Sequence, residues 1–177
     1  MDVSGSITDE NWEREKQVAK QIAGLHDFGV DGIQAGVVTF DNDASLGIKL
    51  SAHSTKSAFE TALDQLADTK GGTDILAGLE AAITKMFNST NGMRADSKKV
   101  AVLLTDGQDS AQDTEYEKMA ERFQQKDIRL KVVGVGEVSE DHLKLLVSQD
   151  NDYVYASDVR QFLKEGEGFE VEDICRL

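Results

Sequence analysis

A continuous apolar run at residues 100–105 constrains the fold of this chain most strongly. The run reads Val-Ala-Val-Leu-Leu-Thr, carries no charge, and is followed at once by Asp106 and Gly107. A short run without polar alternation is typical of a strand buried on both faces, as in parallel sheets covered by helices on each side. We therefore predict a buried strand that ends in an acidic turn.

The rest of the chain alternates between apolar segments and amphipathic segments. The predicted strands are residues 32–40, 44–50, 100–105, 129–135 and 153–155. The predicted helices are residues 9–28, 56–66, 75–87, 114–125, 140–149 and 159–165. This order indicates an α/β fold with a doubly wound, mostly parallel sheet and helices on both faces. The strand at 44–50 follows its neighbour too closely for a crossover, so we expect it to be an antiparallel edge strand.

Length and charge limit the classes of function. A chain of 177 residues suits a single domain with a full core. Its formal net charge of −14 and pI near 4.5 argue against nucleic-acid binding, which needs a basic surface. No dinucleotide fingerprint and no nucleophile–base pair is evident, so the sequence does not predict an enzyme.

Three segments rich in side-chain oxygen stand out as candidate ligands. The chain begins with Asp2, Ser4 and Ser6 at alternate positions, and Thr73 and Asp106 follow in later turns. Carboxylate and hydroxyl oxygens are the ligands of a hard divalent cation such as Mg²⁺. Asp106 comes directly after a predicted strand, and ligands of doubly wound sheets collect at the carboxyl ends of strands. The sequence therefore predicts a cation site at that edge.

In this order, the three segments resemble the metal-ion-dependent adhesion site of von Willebrand factor type A domains. The resemblance implies that Asp2, Ser4, Ser6, Thr73 and Asp106 hold Mg²⁺ or Mn²⁺. It also implies that an acidic residue of a protein ligand completes the coordination, with no enzymatic activity. The expected setting is an extracellular adhesion or matrix protein of the collagen VI or matrilin type. An intracellular scaffold module of a larger complex is the alternative.

The resemblance also implies that a strand is missing. The family's first, central strand lies immediately before the Asp-x-Ser-x-Ser segment, but only Met1 precedes Asp2 here. We therefore expect residues 1–177 to be a single domain truncated at its N-terminus. The sheet should rearrange, or its gap should be filled between chains, giving a homodimer or an aggregation-prone monomer. A frayed terminus and the α-ammonium of Met1 should weaken the cation site.

Four further predictions concern residues outside the cation set. Cys175 resembles the second cysteine of a disulfide found in extracellular members, whose partner would lie outside this chain. Asn88-Ser89-Thr90 is a candidate N-glycosylation site. Residues 159–164 should form a movable terminal helix. Asp74 is either a helix cap or an acceptor behind the cation, and Asp109 is expected to be surface charge.

Overall fold

The computed structural model describes residues 1–106, 109–135, 140–149 and 152–156 of the chain. The helices are α1 (Asp9–Gly24), α2 (Lys56–Asp64), α3 (Ile75–Ala81), α4 (Asp113–Gln125) and α5 (Glu140–Lys144). The strands are β1 (Val37–Phe40), β2 (Ala44–Ile48), β3 (Lys99–Thr105), β4 (Ile128–Val135) and β5 (Tyr153–Ala156). A π-helical turn, Ala82–Met86, extends α3. Among these elements, no helix is long and apolar enough to cross a membrane.

Local chemistry explains where α1 begins and ends. Its N-cap is Thr8, whose side-chain oxygen accepts a hydrogen bond from the backbone N–H of Asn11 at 3.2 Å. The helix is four residues shorter than predicted, and its last turn ends with a bond from Leu25 N–H to the carbonyl of Ile22. Gly29, at φ 137°, then adopts a conformation that favours glycine.

The strands form two separate sheets. β3 and β4 pair in parallel from Lys99 opposite Ile128 to Thr105 opposite Gly134, and β4 pairs in parallel with β5. β1 pairs only with β2, which is antiparallel as predicted. In the described part of the chain, β1 and β3 are not paired with each other. Of the two expected outcomes, a rearrangement that pairs β1 directly with β3 is therefore not seen among the described residues.

Residues 1–4 join the two sheets at one end. The N–H of Val3 donates to the carbonyl of Phe40 at 2.9 Å, and the N–H of Asp2 donates to the carbonyl of Leu104 at 3.2 Å. Asp2 and Phe40 form an isolated bridge in which the two chain segments run parallel. The α-ammonium of Met1 donates to the carbonyl of Val38 at 3.0 Å, and Met1 is only 8% exposed. The prediction of a frayed terminus is therefore wrong, because backbone bonds from both sides hold it.

Helices cover both faces of the sheets. Leu104 packs in a core that includes Trp12, Val18 and Phe59 from α1 and α2. Its neighbour Leu103 packs in a second core built mainly from α3, α4 and α5. Leu103 and Leu104 are successive residues that pack in different cores. The carboxyl half of β3 is therefore buried on both faces, as predicted. The amino half of β3, residues 99–102, is only half-buried.

The predictions for Asn88, residues 159–164 and Cys175 concern positions away from the cation set. Asn88 caps a 3₁₀ turn, Ser89–Asn91, and its side-chain oxygen accepts from the Thr90 hydroxyl at 2.9 Å. Its glycosylation stays a prediction. The predicted terminal helix at 159–164 and Cys175 lie outside the described residues.

Candidate metal site

Asp2 is the best-anchored member of the predicted cation set. It is fully buried, and a buried carboxylate needs hydrogen-bond donors. One side-chain oxygen, Oδ1, accepts from the backbone N–H of Ser4 at 2.9 Å. The other, Oδ2, accepts from the Thr105 hydroxyl at 2.7 Å. These two bonds fix the orientation of the carboxylate at the carboxyl ends of β1 and β3.

The turn after Asp2 brings two serine hydroxyls together. Ser4 is fully buried and Ser6 is exposed, yet their Oγ atoms lie 2.9 Å apart. Ser4 pairs with Gly71, and the N–H of Gly5 donates to the carbonyl of Gly71 at 2.7 Å. A Cβ at residue 71 would lie 2.6 Å from Oδ2 of Asp41, so this close approach requires glycine. The segment that contains Thr73 is therefore held next to the segment that contains Ser4.

Thr73 lies in the loop that these contacts position. Two residues earlier the loop pairs with Ser4, and one residue later the N–H of Asp74 donates to the carbonyl of Asp41 at 2.7 Å. Thr73 itself is half-buried. The loop thus runs beside the Ser4–Ser6 turn at the end of β1. This location fits the predicted role of Thr73.

Asp106 belongs to the third predicted segment, which follows β3. It follows the last residue of β3 and is 5% exposed. Asp2 bonds to Leu104 and Thr105 at the end of β3. The residue that follows β3 therefore lies next to the first segment. The structure therefore brings the three predicted segments to one edge, although they are separated by up to 104 positions in sequence.

The electrostatics of this edge are dominated by buried acids. Glu15 of α1 is fully buried, and its Oε2 accepts from the N–H of Asp2 at 3.2 Å. Burial raises the pKa of Glu15, the Met1 α-ammonium opposes this, and the charges of Asp2 and Asp106 raise it further. Burial in turn lowers the pKa of the Met1 α-ammonium. The carboxyl groups of Glu15, Asp2 and Asp106 and the buried Met1 amine therefore share one region.

This chemistry fits a divalent cation. The predicted set consists of two carboxylates and three hydroxyls, and no cluster of three His, Cys, Asp or Glu ligands occurs in the described ranges. Oε1 of Glu15 is buried without a hydrogen-bond partner there. An added positive charge at this edge would offset the concentration of buried negative charge. The oxygen donors are of the kind that Mg²⁺ and Mn²⁺ accept.

Sequence reasoning missed three residues that shape this edge. Thr105 orients Asp2 through the bond described above. Glu15 lies on the buried face of α1, three residues from both Trp12 and Val18, a spacing that could have revealed it. Asp109 is not free surface charge, since its Oδ2 accepts from the N–H of Ile75 at 2.9 Å. Asp74 is the N-cap of α3 and accepts from the N–H of Ala77 at 2.8 Å.

Sequence comparisons identify relatives across nearly the whole chain. The model of the von Willebrand factor type A domain matches residues 1–165. Matrilin-1 of Mus musculus is 30% identical over 187 residues, covering 99% of this chain and 36% of the relative. The collagen alpha-1(XII) chain of Notophthalmus viridescens is 29% identical over 162 residues, covering 92% of this chain and 17% of the relative. The chain thus spans about a third or less of these relatives.

Structural comparisons confirm the α/β fold. Proximal thread matrix protein 1 from the mussel byssus, solved with a zinc-occupied metal-ion-dependent adhesion site motif, aligns with a TM-score of 0.80 at 24% identity. That alignment covers 93% of this chain and 44% of the other. Manganese-loaded TRAP protein of Plasmodium vivax aligns with a TM-score of 0.76 at 20% identity, covering 96% of this chain and 70% of the other.

Proposed function

Because this chain belongs to the von Willebrand factor type A domain family, we propose that it is a cation-dependent protein-binding module of an extracellular adhesion or matrix protein. The observation that carries this proposal is the convergence of Asp2, Ser4 and Asp106 at one sheet edge, with Asp2 and Ser4 fully buried. A buried, fixed carboxylate among hydroxyls is suited to binding an ion rather than to solubilising a surface.

Each ligand has a distinct role in the proposed site. Asp2 and Asp106 supply negative charge, and Thr105 holds Asp2 in place. Ser4, Ser6 and Thr73 supply neutral oxygens, so the set carries only two formal negative charges. Mg²⁺ or Mn²⁺ bound there would keep a coordination position for an external carboxylate. A ligand protein's Glu or Asp would then be recognised through a short, directional ionic contact.

The relatives support the extracellular setting. Matrilin-1 and collagen alpha-1(XII) resemble this chain over 99% and 92% of its length. The solved proteins with zinc and manganese have the same fold, which supports a divalent cation without deciding which one this chain selects. We propose a matrix protein or collagen as the partner class. No observation favours the intracellular scaffold over this reading, and no nucleophile–base pair in the described residues supports catalysis.

Calorimetric titration with Mg²⁺ tests the proposed site. Wild-type protein should bind one Mg²⁺ per chain, and Asp106→Ala should weaken binding by at least about tenfold because it removes one of two charged ligands. Binding should also raise the melting temperature of the wild type by mass action. Asp113→Ala is the matched control, since it removes an equal charge from an exposed helix start. Equal Mg²⁺ uptake by wild type and Asp106→Ala would contradict the assignment.

A further inference from the structure

Asp109 joins the start of α3 to the segment that precedes α4. Its Oδ2 accepts a hydrogen bond from the N–H of Ile75, the first residue of α3, at 2.9 Å. Its Oδ1 accepts from the N–H of Ala111 at 2.6 Å. Ile75 lies two positions after Thr73, and Asp109 lies three positions after Asp106. Asp109 is therefore anchored close to two of the three segments that meet at the candidate site, because three residues span at most about 11 Å.

Tyr116 of α4 supports this carboxylate. It is 1% exposed, and its side chain forms a hydrogen bond with Asp109. Burial raises the pKa of the Tyr116 phenol, and the charge of Asp109 and this hydrogen bond raise it further. The phenol therefore stays protonated and donates to the carboxylate. A half-buried carboxylate with donors from α3, from α4 and from its own segment is held in one orientation.

The loop that contains Thr73 is held on two sides. Toward β1, the N–H of Asp74 donates to the carbonyl of Asp41 at 2.7 Å. Toward α4, the N–H of Ile75 donates to Asp109. The first bond sets the position of Thr73 relative to β1. The second bond sets its position relative to the segment that follows β3.

We propose that Asp109 is a positioning residue that fixes the spacing between Thr73 and Asp106. This inference rests on the proposed cation site, in which both of those residues are ligands. Mg²⁺ needs near-ideal octahedral contacts at short distances, whereas Ca²⁺ accepts longer distances and a more variable geometry. Mg²⁺ binding therefore depends more strongly on a fixed ligand spacing, and loosening that spacing should weaken Mg²⁺ binding more than Ca²⁺ binding.

The test titrates the 177-residue protein with Mg²⁺ and, separately, with Ca²⁺ by calorimetry. Asp109→Asn keeps the size of the side chain but removes one of its two acceptor oxygens. Mg²⁺ affinity should fall about tenfold, and Ca²⁺ affinity should fall less than about threefold. Loss of one negative charge alone would weaken both divalent ions by the same factor. The ratio of the two affinities therefore separates positioning from general charge.

Three further variants complete the comparison. Tyr116→Phe removes the hydroxyl that supports Asp109 at nearly constant volume and should shift the ratio in the same direction. Asp113→Asn removes an equal charge at the exposed start of α4 and should leave the ratio unchanged. Glu80→Gln weakens another contact between α3 and α4, since Arg122 donates to Oε1 of Glu80 at 2.9 Å. It should lower stability without changing the ratio.

Hydrogen exchange in EDTA tests the same role without any ion. The amide of Asp74, bonded to the carbonyl of Asp41, should exchange about fivefold faster in Asp109→Asn than in wild type, because the loop loses its second anchor. Unchanged exchange of this amide, or an unchanged ratio of affinities in both Asp109→Asn and Tyr116→Phe, would overturn the positioning role. A wild type that binds neither ion would instead overturn the proposed function, and the Asp74 exchange would then decide the positioning role alone.

Discussion

The two ends of the space between β1 and β3 differ in what fills them. At the carboxyl end, residues 1–4 join the two sheets, and Asp2 and Ser4 are fully buried with hydrogen bonds. At the amino end, the same two strands border an apolar groove, and residues 99–102 of β3 are half-buried. The neighbouring strand β4 is almost entirely buried along its length. The described structure is therefore closely hydrogen-bonded where it presents polar oxygens and more open where the same two strands border apolar side chains.

The cation site and the central core therefore depend on the same few backbone bonds. Met1–Val3 have β1 on one side and β3 on the other, but the groove lies directly before them. Fixing the ligand carboxylate therefore relies on the backbone bonds that Met1, Asp2 and Val3 make to these two strands. Filling the amino end should stabilise the carboxyl end, and loosening the carboxyl end should weaken cation binding.

The largest expected effect comes from filling the amino end covalently. Joining Val-Val-Leu-Val-Val to Met1 should raise the free energy of unfolding by about 3 kcal/mol, since burying each side chain gains about 1.5–3 kcal/mol and ordering each residue costs about 1.5 kcal/mol. Mg²⁺ affinity should rise as well, because Asp2 would continue a full strand. Urea denaturation and calorimetry of both proteins measure these changes.

A Gly-Ser-Gly-Ser-Gly extension is the control for chain length and for removal of the α-ammonium from Met1. It should leave the free energy of unfolding nearly unchanged. Sedimentation should show the apolar extension as a monomer, in line with the expectation that a gap promotes association. If the original chain is a monomer equally stable and equally able to bind Mg²⁺, the contrast between the two ends has no energetic meaning.

An intermediate effect is expected at the carboxyl end, where Thr105→Val removes the hydroxyl that orients Asp2. The variant keeps the volume of a buried side chain but loses the 2.7 Å bond to Oδ2. Stability should fall by about 1 kcal/mol, and Mg²⁺ affinity should fall about tenfold because a supporting contact to a ligand is lost. Thr61→Val, which removes an exposed hydroxyl on α2, is the control. An unchanged Mg²⁺ affinity would show that Asp2 needs no such support.

The sequence predicted the carboxyl end better than the amino end, for physical reasons. Asp2, Ser4 and Asp106 were identified because three short segments together resemble a known family site, whereas the Asp-x-Ser-x-Ser turn alone is weak evidence. The type of each strand and helix followed from hydrophobic periodicity. Glu15 was missed because its burial depends on the position of Met1 and Asp2, which lie 13 or more residues away. The groove was foreseen only as one option, since whether a sheet closes depends on packing between both helical layers.

The smallest expected effect concerns pH at the carboxyl end. The Thr69 hydroxyl, at 2.6 Å from Oδ2, and then the Asp43 N–H hold the pKa of Asp41 below its ordinary value. A carboxyl group with a lowered pKa in the folded state stabilises the fold above its unfolded pKa and loses that contribution as pH falls through the folded value. Asp41→Asn should therefore cost about 0.5 kcal/mol at pH 7 after solvent screening, and its stability should fall less than that of the wild type between about pH 5 and pH 2.5. Urea denaturation across this range measures the difference, and Asp43→Asn removes the same charge without the Thr69 bond. If both variants follow the same pH curve, general charge rather than the Thr69 contact governs acid stability at this end.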